Sequence, residues 1–389
     1  MGIKENDQRY IAHTYARFDV VLTHGKGCRV YDEKEKEYLD LTAGIGVNAL
    51  GFADEEWTAA VAQQAKTLPH VSNLYYSQPD SDVAKLLCER CGFSNMFFAN
   101  SGAEANEGAI KVVRKYSSDR YGTGRHEIIT LVNSFHGRTI TALSATGQDH
   151  FHQHFDPFTP GFVHVIANDI NDLISKISDR TCAVMMEMIQ GEGGVLPLEH
   201  AFVNALAQQC KEKDILLIVD EVQTGVGRCG TFYAYEQYGI RPDIVTTAKG
   251  LGNGLPIGGI LLSEKTANVF GPGDHGTTFG GNPIACAGAR VVLNRIDAQF
   301  LADVTKKGAY VEQRLNKMPH VVQVNGLGLM RGVVLDGLTA RDVVLACIEK
   351  GVLLLTAKDK LRLLPPLTIT MDELKEAMDI IEDVLTHMA

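Results

Sequence analysis

Short apolar runs with strand character recur along the middle of the chain, at Met96 to Ala99, Ile128 to Val132, Ala183 to Met188, Ile215 to Val219, Ile244 to Thr247 and Gly259 to Leu262. Between them, segments such as Glu104 to Tyr116 and Phe202 to Lys213 carry apolar residues at helical spacing. Strands alternating with helices predict an α/β fold, a mostly parallel sheet covered by helices on both faces. In such sheets ligands bind beyond the carboxyl ends of the strands, so chemistry is sought directly after each run.

Those positions are loaded with polar groups. In order, the runs deliver Asn100-Ser101-Gly102-Ala103, Phe135-His136-Gly137-Arg138, Glu187 to Glu192, Asp220-Glu221-Val222-Gln223 and Lys249. Turn-forming chemistry alone would supply one or two polar residues, not five successive groups. Outside this core, residues 1–46 and 290–389 read as mixed helix and strand and include the glycine-punctuated run VNGLGLMRGVVL. They predict a smaller α+β domain built from both chain ends, flanking a large domain over residues 47–289.

Composition narrows the class. With 45% hydrophobic and 22% charged residues in 389, the chain has the balance of a soluble globular protein. No stretch approaches the roughly 18 uninterrupted apolar residues of a membrane helix, so no membrane partner is expected. The first residues, MGIKENDQRYIA, mix acids with bases and lack the bias of a signal or transit peptide, which predicts a cytoplasmic location. A formal charge of −10 without a basic tract argues against nucleic acid. The eight cysteines are scattered, as in a reducing compartment. Cys88 and Cys91 form a C-x-x-C pair, but it lies in a helical-looking stretch without a second pair and reads as two helix-face cysteines. His150, His152 and His154 lack supporting ligand motifs and read as a loop, so no metal is expected.

Three groups can carry chemistry. Lys249 ends an apolar run and enters the glycine-rich stretch GLGNGLPIGG, the position of a Schiff-base lysine at the mouth of a sheet. Asp220 directly follows a buried run, where a fixed carboxylate can keep a cofactor's ring nitrogen protonated; an acid there also simply caps a turn. Ser101, Gly102 and Ala103 precede a helix, whose exposed amides bind anions such as phosphate. Ser101 also reads as an N-cap with Glu104 completing a capping box, a reading compatible with the first. Gly225 to Gly230, GVGRCG, matches the dinucleotide pattern G-x-G-x-x-G. However, Asp243 precedes a strand instead of ending one, and TFYAYEQYG is unlike a phosphate-binding helix, which disfavours a nucleotide site.

Taken together, NSGAEANE (100–107), SFHGR (134–138), QGEGG (190–194), DEVQTGVGR (220–228), TTAKGLGNGLPIGG (246–259) and TTFGGNP (277–283) resemble the class III, ornithine-type aminotransferases. The likeness runs from about Tyr15 to the C-terminus. GIGVNALGF, HVSNLYY and FFANSGAEANE look most like the branch acting on N-acetylornithine in arginine biosynthesis. The resemblance implies a fold-type I enzyme using pyridoxal 5'-phosphate, with Lys249 as Schiff-base lysine and Asp220 as partner of the ring nitrogen. It implies Gln223 on the cofactor's phenolic oxygen, Phe135 stacked on its ring, and Ser101, Gly102 and Ala103 on its phosphate, joined by Thr278 from the second subunit of a homodimer. It implies Arg138, with Tyr15 close by, on a substrate carboxylate, and Glu192 with Arg362 as a pair that switches between two substrates.

The implied reaction moves the terminal amino group of N-acetylornithine to 2-oxoglutarate. Ornithine, succinylornithine or 4-aminobutyrate as donor, and a binding protein that has lost catalysis, are the alternatives. Three departures from the family pattern, at Met188, Cys229 and Phe279, touch neither the lysine, the aspartate nor the phosphate residues and bear on substrate preference only.

Overall fold

The apolar runs assemble into one seven-stranded sheet in the computed structural model, which describes residues 2–388. Its strands are β1 (Asn95–Ala99), β2 (Glu127–Leu131), β3 (Phe162–Val165), β4 (Thr181–Met186), β5 (Leu216–Asp220), β6 (Ile244–Thr247) and β7 (Gly258–Leu262). Their spatial order is β1-β7-β6-β5-β4-β2-β3. Only β7 runs antiparallel to its neighbours within this sheet. The central strands are continuous apolar runs because helices cover both faces. Side chains alternate accordingly. Leu217 and Val219 join one core with Val184 and Met186, whereas Leu216 and Ile218 join another with Ala109 and Val112 of the helix Gly102–Tyr121.

One strand was not expected and one boundary shifts. Edge strand β3 is absent from the apolar pattern because only Val165 of its four residues is fully buried. The run expected to reach Met188 leaves the sheet after Met186; Ile189–Gln190 then pairs with Leu196–Pro197 in a small hairpin whose turn holds Gly191, Glu192, Gly193 and Gly194.

Strands from both chain ends share a second sheet. Leu22–Lys26, Arg29–Asp32 and Glu37–Asp40 lie in order, and Val352–Leu353 adds parallel to the last of them. The run VNGLGLMRGVVL forms the hairpin Val321–Leu327 and Met330–Leu335 of a third sheet, against which Lys360–Leu363 pairs. Leu39, Val333, Val343 and Ile381 pack in the core beneath these sheets.

The G-x-G-x-x-G segment opens no helix. Gly227 and Gly230 take positive φ (86° and 93°), and Arg228 between them is buried, donating to the carbonyls of Leu329 and Pro365 at 3.1 and 2.5 Å. A Cβ at 225 would lie 2.7 Å from both the Glu221 carbonyl oxygen and the Tyr233 ring. The glycines therefore serve turning and close packing. Cys88 and Cys91 lie on the helix Gln78–Cys91 as free thiols. His150 sits in a single 3₁₀ turn, Asp149–Phe151, where a plain loop was expected. Among the described residues no helix is long and apolar enough to cross a membrane.

Candidate active site

A cavity of about 400 Å³ opens at the carboxyl ends of the sheet strands. Its wall collects what the strand ends deliver: Ser101, Gly102 and Ala103 after β1, Phe135 and Arg138 after β2, Glu187 after β4, Asp220 and Gln223 from the end of β5, and Lys249 after β6.

At one end of the cavity lies the first turn of the helix Gly102–Tyr121. Ser101 caps it, its hydroxyl accepting from the Glu104 N–H at 3.2 Å. The expected capping box is displaced by one residue, because the Glu104 carboxylate receives the backbone and side-chain N–H groups of Asn100, at 2.7 and 2.8 Å, instead of the Ser101 N–H. First-turn amides have no intrahelical acceptor and attract anions. Close packing shapes this end. A Cβ on Gly102 would lie 2.6 Å from a Val222 methyl, and one on Gly137 would lie 2.8 Å from Ala103 Cβ.

Asp220, the last residue of β5, is buried and held by three donors. Its Oδ2 accepts from Asn106 Nδ2 at 2.7 Å and faces His136 Nδ1 at 2.9 Å, while Oδ1 accepts the Val222 N–H at 3.0 Å. Asn106 donates its second N–H to the His136 carbonyl at 2.7 Å, which locks the three side chains together. Across the cavity, Lys249 starts a 3₁₀ turn with φ at +46°, a conformation that costs energy for any residue with a Cβ. Burial lowers its pKa, and the nearby carboxylates of Glu192 and Asp220 only partly oppose that.

Glu187 is a second buried carboxyl on this wall, accepting the Phe135 N–H at 3.3 Å. Burial, then the neighbouring Asp220 charge, pushes its pKa well above the ordinary carboxylate range. The surroundings of the two acids differ: Asp220 is met by N–H donors, whereas Glu187 is disfavoured as an anion. Beside Gln223, Glu192 pairs with the buried Arg362 at 2.6 Å and accepts from Gln223 Nε2 at 3.3 Å. Burial works against Glu192 ionising, but Arg362 outweighs it and the carboxyl sits below its usual value.

The residues expected at the site do not all converge in one chain. Thr278 is exposed, near Ser72 and Asn73, and Tyr15 is exposed beside Arg17. Neither lines the cavity. Met188 and Cys229 are buried in the core, and Phe279 is exposed against the His70 ring, so the three departures from the family pattern also lie off the cavity wall. Asn106, His136 and Glu187 were not assigned roles from sequence. Asn106 could have been noticed as an amide on the same apolar helix face as Ala109 and Ile110.

This donor set fits the pyridoxal phosphate implied by the resemblance. Amides lie at one end for a phosphate, the Phe135 ring borders the cavity, a buried carboxylate is fixed for a ring nitrogen, and the half-buried Lys249 amine faces the same space. Comparison with known proteins agrees with the geometry. The family description "Aminotransferase class-III" matches residues 10–385. An acetylornithine aminotransferase of Haemophilus ducreyi is 53% identical over 388 residues, covering 99% of each chain. The solved N-acetylornithine aminotransferase of Stenotrophomonas maltophilia superposes with a TM-score of 0.84 at 36% identity, over 96% of this chain and 97% of that one. An ornithine aminotransferase of Toxoplasma gondii, with partial occupancy of PLP at its active site, superposes with a TM-score of 0.94 at 32% identity, over 98% of this chain and 93% of that one. Matched along nearly its whole length in sequence and in fold, the chain belongs to the class III aminotransferases.

Proposed function

We propose that this chain transfers the terminal amino group of N-acetylornithine to 2-oxoglutarate, giving N-acetylglutamate 5-semialdehyde and glutamate, with pyridoxal phosphate as cofactor. The observation that carries the reading is the meeting of Lys249, the braced Asp220 and the Ser101–Ala103 amides around one cavity. Relatives such as the Haemophilus ducreyi acetylornithine aminotransferase support the choice of substrate.

When bound, pyridoxal phosphate supplies an aldehyde that takes up the amino group and a protonated ring that draws electrons from the reacting carbon. The amides of Ser101, Gly102 and Ala103 hold its phosphate, Phe135 packs on its ring, and Gln223 reaches its phenolic oxygen. Asp220 holds the proton on the ring nitrogen. Lys249, whose lowered pKa enlarges its neutral fraction, would take the proton from the amino-bearing carbon of the donor and hand it to the cofactor within the same half of the transfer, and would run the same shuttle in reverse when 2-oxoglutarate is the substrate. Arg138 grips the substrate carboxylate far from the reacting amine.

The two substrates differ beside the reacting carbon: N-acetylornithine has a bare chain there, glutamate a carboxylate. Glu192 on Arg362 suits the first, and an exposed Arg362 suits the second. The turn itself is packed. A Cβ on Gly193 would lie 2.6 Å from the Asn133 carbonyl oxygen, and one on Gly191 would collide with the Gln223 amide, so the Glu192 side chain, and not its backbone, is the moving part. Glu192→Gln keeps the shape and removes the charge. A charge-assisted hydrogen bond is worth about 1.5–3 kcal/mol, so reactivity toward glutamate relative to N-acetylornithine is expected to rise roughly tenfold or more. Stopped-flow measurement of each half-reaction checks this; an unchanged ratio would remove Glu192 from the switch.

The substrate assignment is tested by single turnovers of the holoenzyme with N-acetylornithine, ornithine, N-succinylornithine and 4-aminobutyrate. N-acetylornithine is expected to give the highest kcat/KM, and a faster competitor would replace it as the donor. The same reading includes a cytoplasmic homodimer. Leu74 and Phe279 are exposed close to Thr278, a surface that a second copy would cover while carrying Thr278 toward its partner's phosphate site. It also includes the division at residues 46/47 and 289/290, across which Glu192 and Arg362 form a bridge.

A further inference from the structure

The mouth of the cavity carries a cation seated on an aromatic ring. Arg138 is exposed, and its guanidinium carbon lies 3.7 Å from the centroid of the Phe151 ring and 5.6 Å from that of Phe135. Among the described residues no carboxylate pairs with it. Phe151 is itself fixed in place. It closes the turn Asp149–Phe151, its N–H donating to the Gln148 carbonyl at 3.0 Å. Gln148 is buried and donates its side-chain amide to the Ser134 carbonyl at 3.0 Å. Gly147 donates to Ser134 Oγ at 3.1 Å and accepts from the Asn133 N–H at 2.7 Å. The turn bearing Phe151 is therefore tied to the same loop that carries Phe135 and Arg138. The Phe151 and Phe135 rings meet edge to face, 5.9 Å between centroids at 73°.

We propose that Phe151 is a positioning residue for substrate carboxylates: its ring holds the Arg138 guanidinium at the cavity mouth, ready for the carboxylate farthest from the reacting amine. The inference rests on the reading of Arg138 as the carboxylate-binding group. A free arginine loses side-chain freedom when it grips an anion, and one already stacked on a ring loses less. A carboxylate seat would neutralise Arg138. An aromatic seat attracts the cation through its face and leaves the in-plane N–H donors free for a ligand. In this arrangement N-acetylornithine presents its only carboxylate to Arg138, and 2-oxoglutarate presents its distal one.

The test compares N-acetylornithine with N-acetylputrescine, which differs only in lacking the carboxylate. In holoenzyme carrying Phe151→Leu, the preference for N-acetylornithine, as a ratio of kcat/KM values, is expected to fall about two- to fivefold, the range of an exposed cation–π contact. The change should enter through KM, with kcat and the N-acetylputrescine reaction left near the parent's, and Phe151→Tyr should restore the ratio. The dissociation constant of N-acetylnorvaline, which has the carboxylate but no reactive amine, should rise in Phe151→Leu by the same factor. Arg138→Gln separates the two layers of the argument. If it leaves the preference intact, the reading of Arg138 fails. If it abolishes the preference while Phe151→Leu keeps the parent ratio, or slows both donors equally, Phe151 is not a positioning residue.

Discussion

Replacing Lys249 with glycine is expected to cost at least about a thousandfold in transamination rate while leaving the cofactor-free fold as stable as the parent or more so. A well-placed general acid–base group contributes roughly 10² to 10⁴ in rate, and the loss of covalent attachment adds to that. The stability half follows from the backbone. Lys249 sits at φ +46°, where a residue with a Cβ pays about 1–2 kcal/mol and glycine does not. Its amine is also held where burial lowers its pKa, so the parent carries a desolvation cost that the variant lacks. Against these stands the larger unfolded-state entropy of glycine, about 0.4–1 kcal/mol. A structural lysine would behave the other way, losing stability with little change in chemistry. Single-turnover rates and the Tm of the cofactor-free protein decide between the two. Mass spectrometry after borohydride reduction should find the pyridoxyl group on Lys249 in the parent. A label on another lysine, or a variant within tenfold of the parent rate, would overturn the assignment.

The places of Lys249 and Asp220 in the fold were legible because each is set by where the residue falls along a strand. Fully buried parallel strands read as unbroken apolar runs, so β5 and β6 and the residues just beyond them can be placed from the sequence alone. Half-buried β3 could not, since FVHV between Gly161 and Ile166 has neither length nor clean alternation. The residues bracing Asp220 were hidden for a different reason. Asn106 lies 114 positions from Asp220 and His136 lies 84, and nothing local to either says that they meet. Phe151 was masked by its surroundings, a histidine-rich segment that invites a question about metals and not about the aromatic ring among them. Local pattern also misplaced the capping box: the partner of Glu104 is Asn100, because the chain leaving β1 turns its Asn100 amides toward the helix. Glu192 and Arg362, 170 positions apart, were paired only by resemblance, and their 2.6 Å contact is the kind of long-range fact that spacing cannot supply.

Replacing Asp220 with asparagine is expected to lower transamination by at least about a hundredfold while cofactor binding survives, because asparagine keeps the shape and removes the charge that holds a proton on the ring nitrogen. The surroundings of Asp220 are built for an anion. It receives the Val222 N–H and the Asn106 side-chain N–H, and His136 Nδ1 lies at 2.9 Å, so its carboxylate cannot turn away from the cavity without breaking contacts on both oxygens. Preorganised charge of this kind acts without reorganising during the reaction, and its loss is felt in the rate more than in binding. Phosphate contacts at the Ser101–Ala103 amides and attachment through Lys249 lie elsewhere on the wall, so the variant should still retain the cofactor. Asp220→Ala should lose activity at least as completely and should also lose stability, since a buried donor left without its acceptor costs about 1–3 kcal/mol. The contrast with Glu187 sharpens the test. Glu187 is equally buried on the same wall, but burial and the neighbouring Asp220 charge disfavour its anion, so Glu187→Gln is expected to cost less activity than Asp220→Asn. Single-turnover rates, cofactor dissociation constants and Tm for the three variants separate the roles of the two acids. If Asp220→Asn turns over normally and Glu187→Gln does not, the ring-nitrogen partner is Glu187.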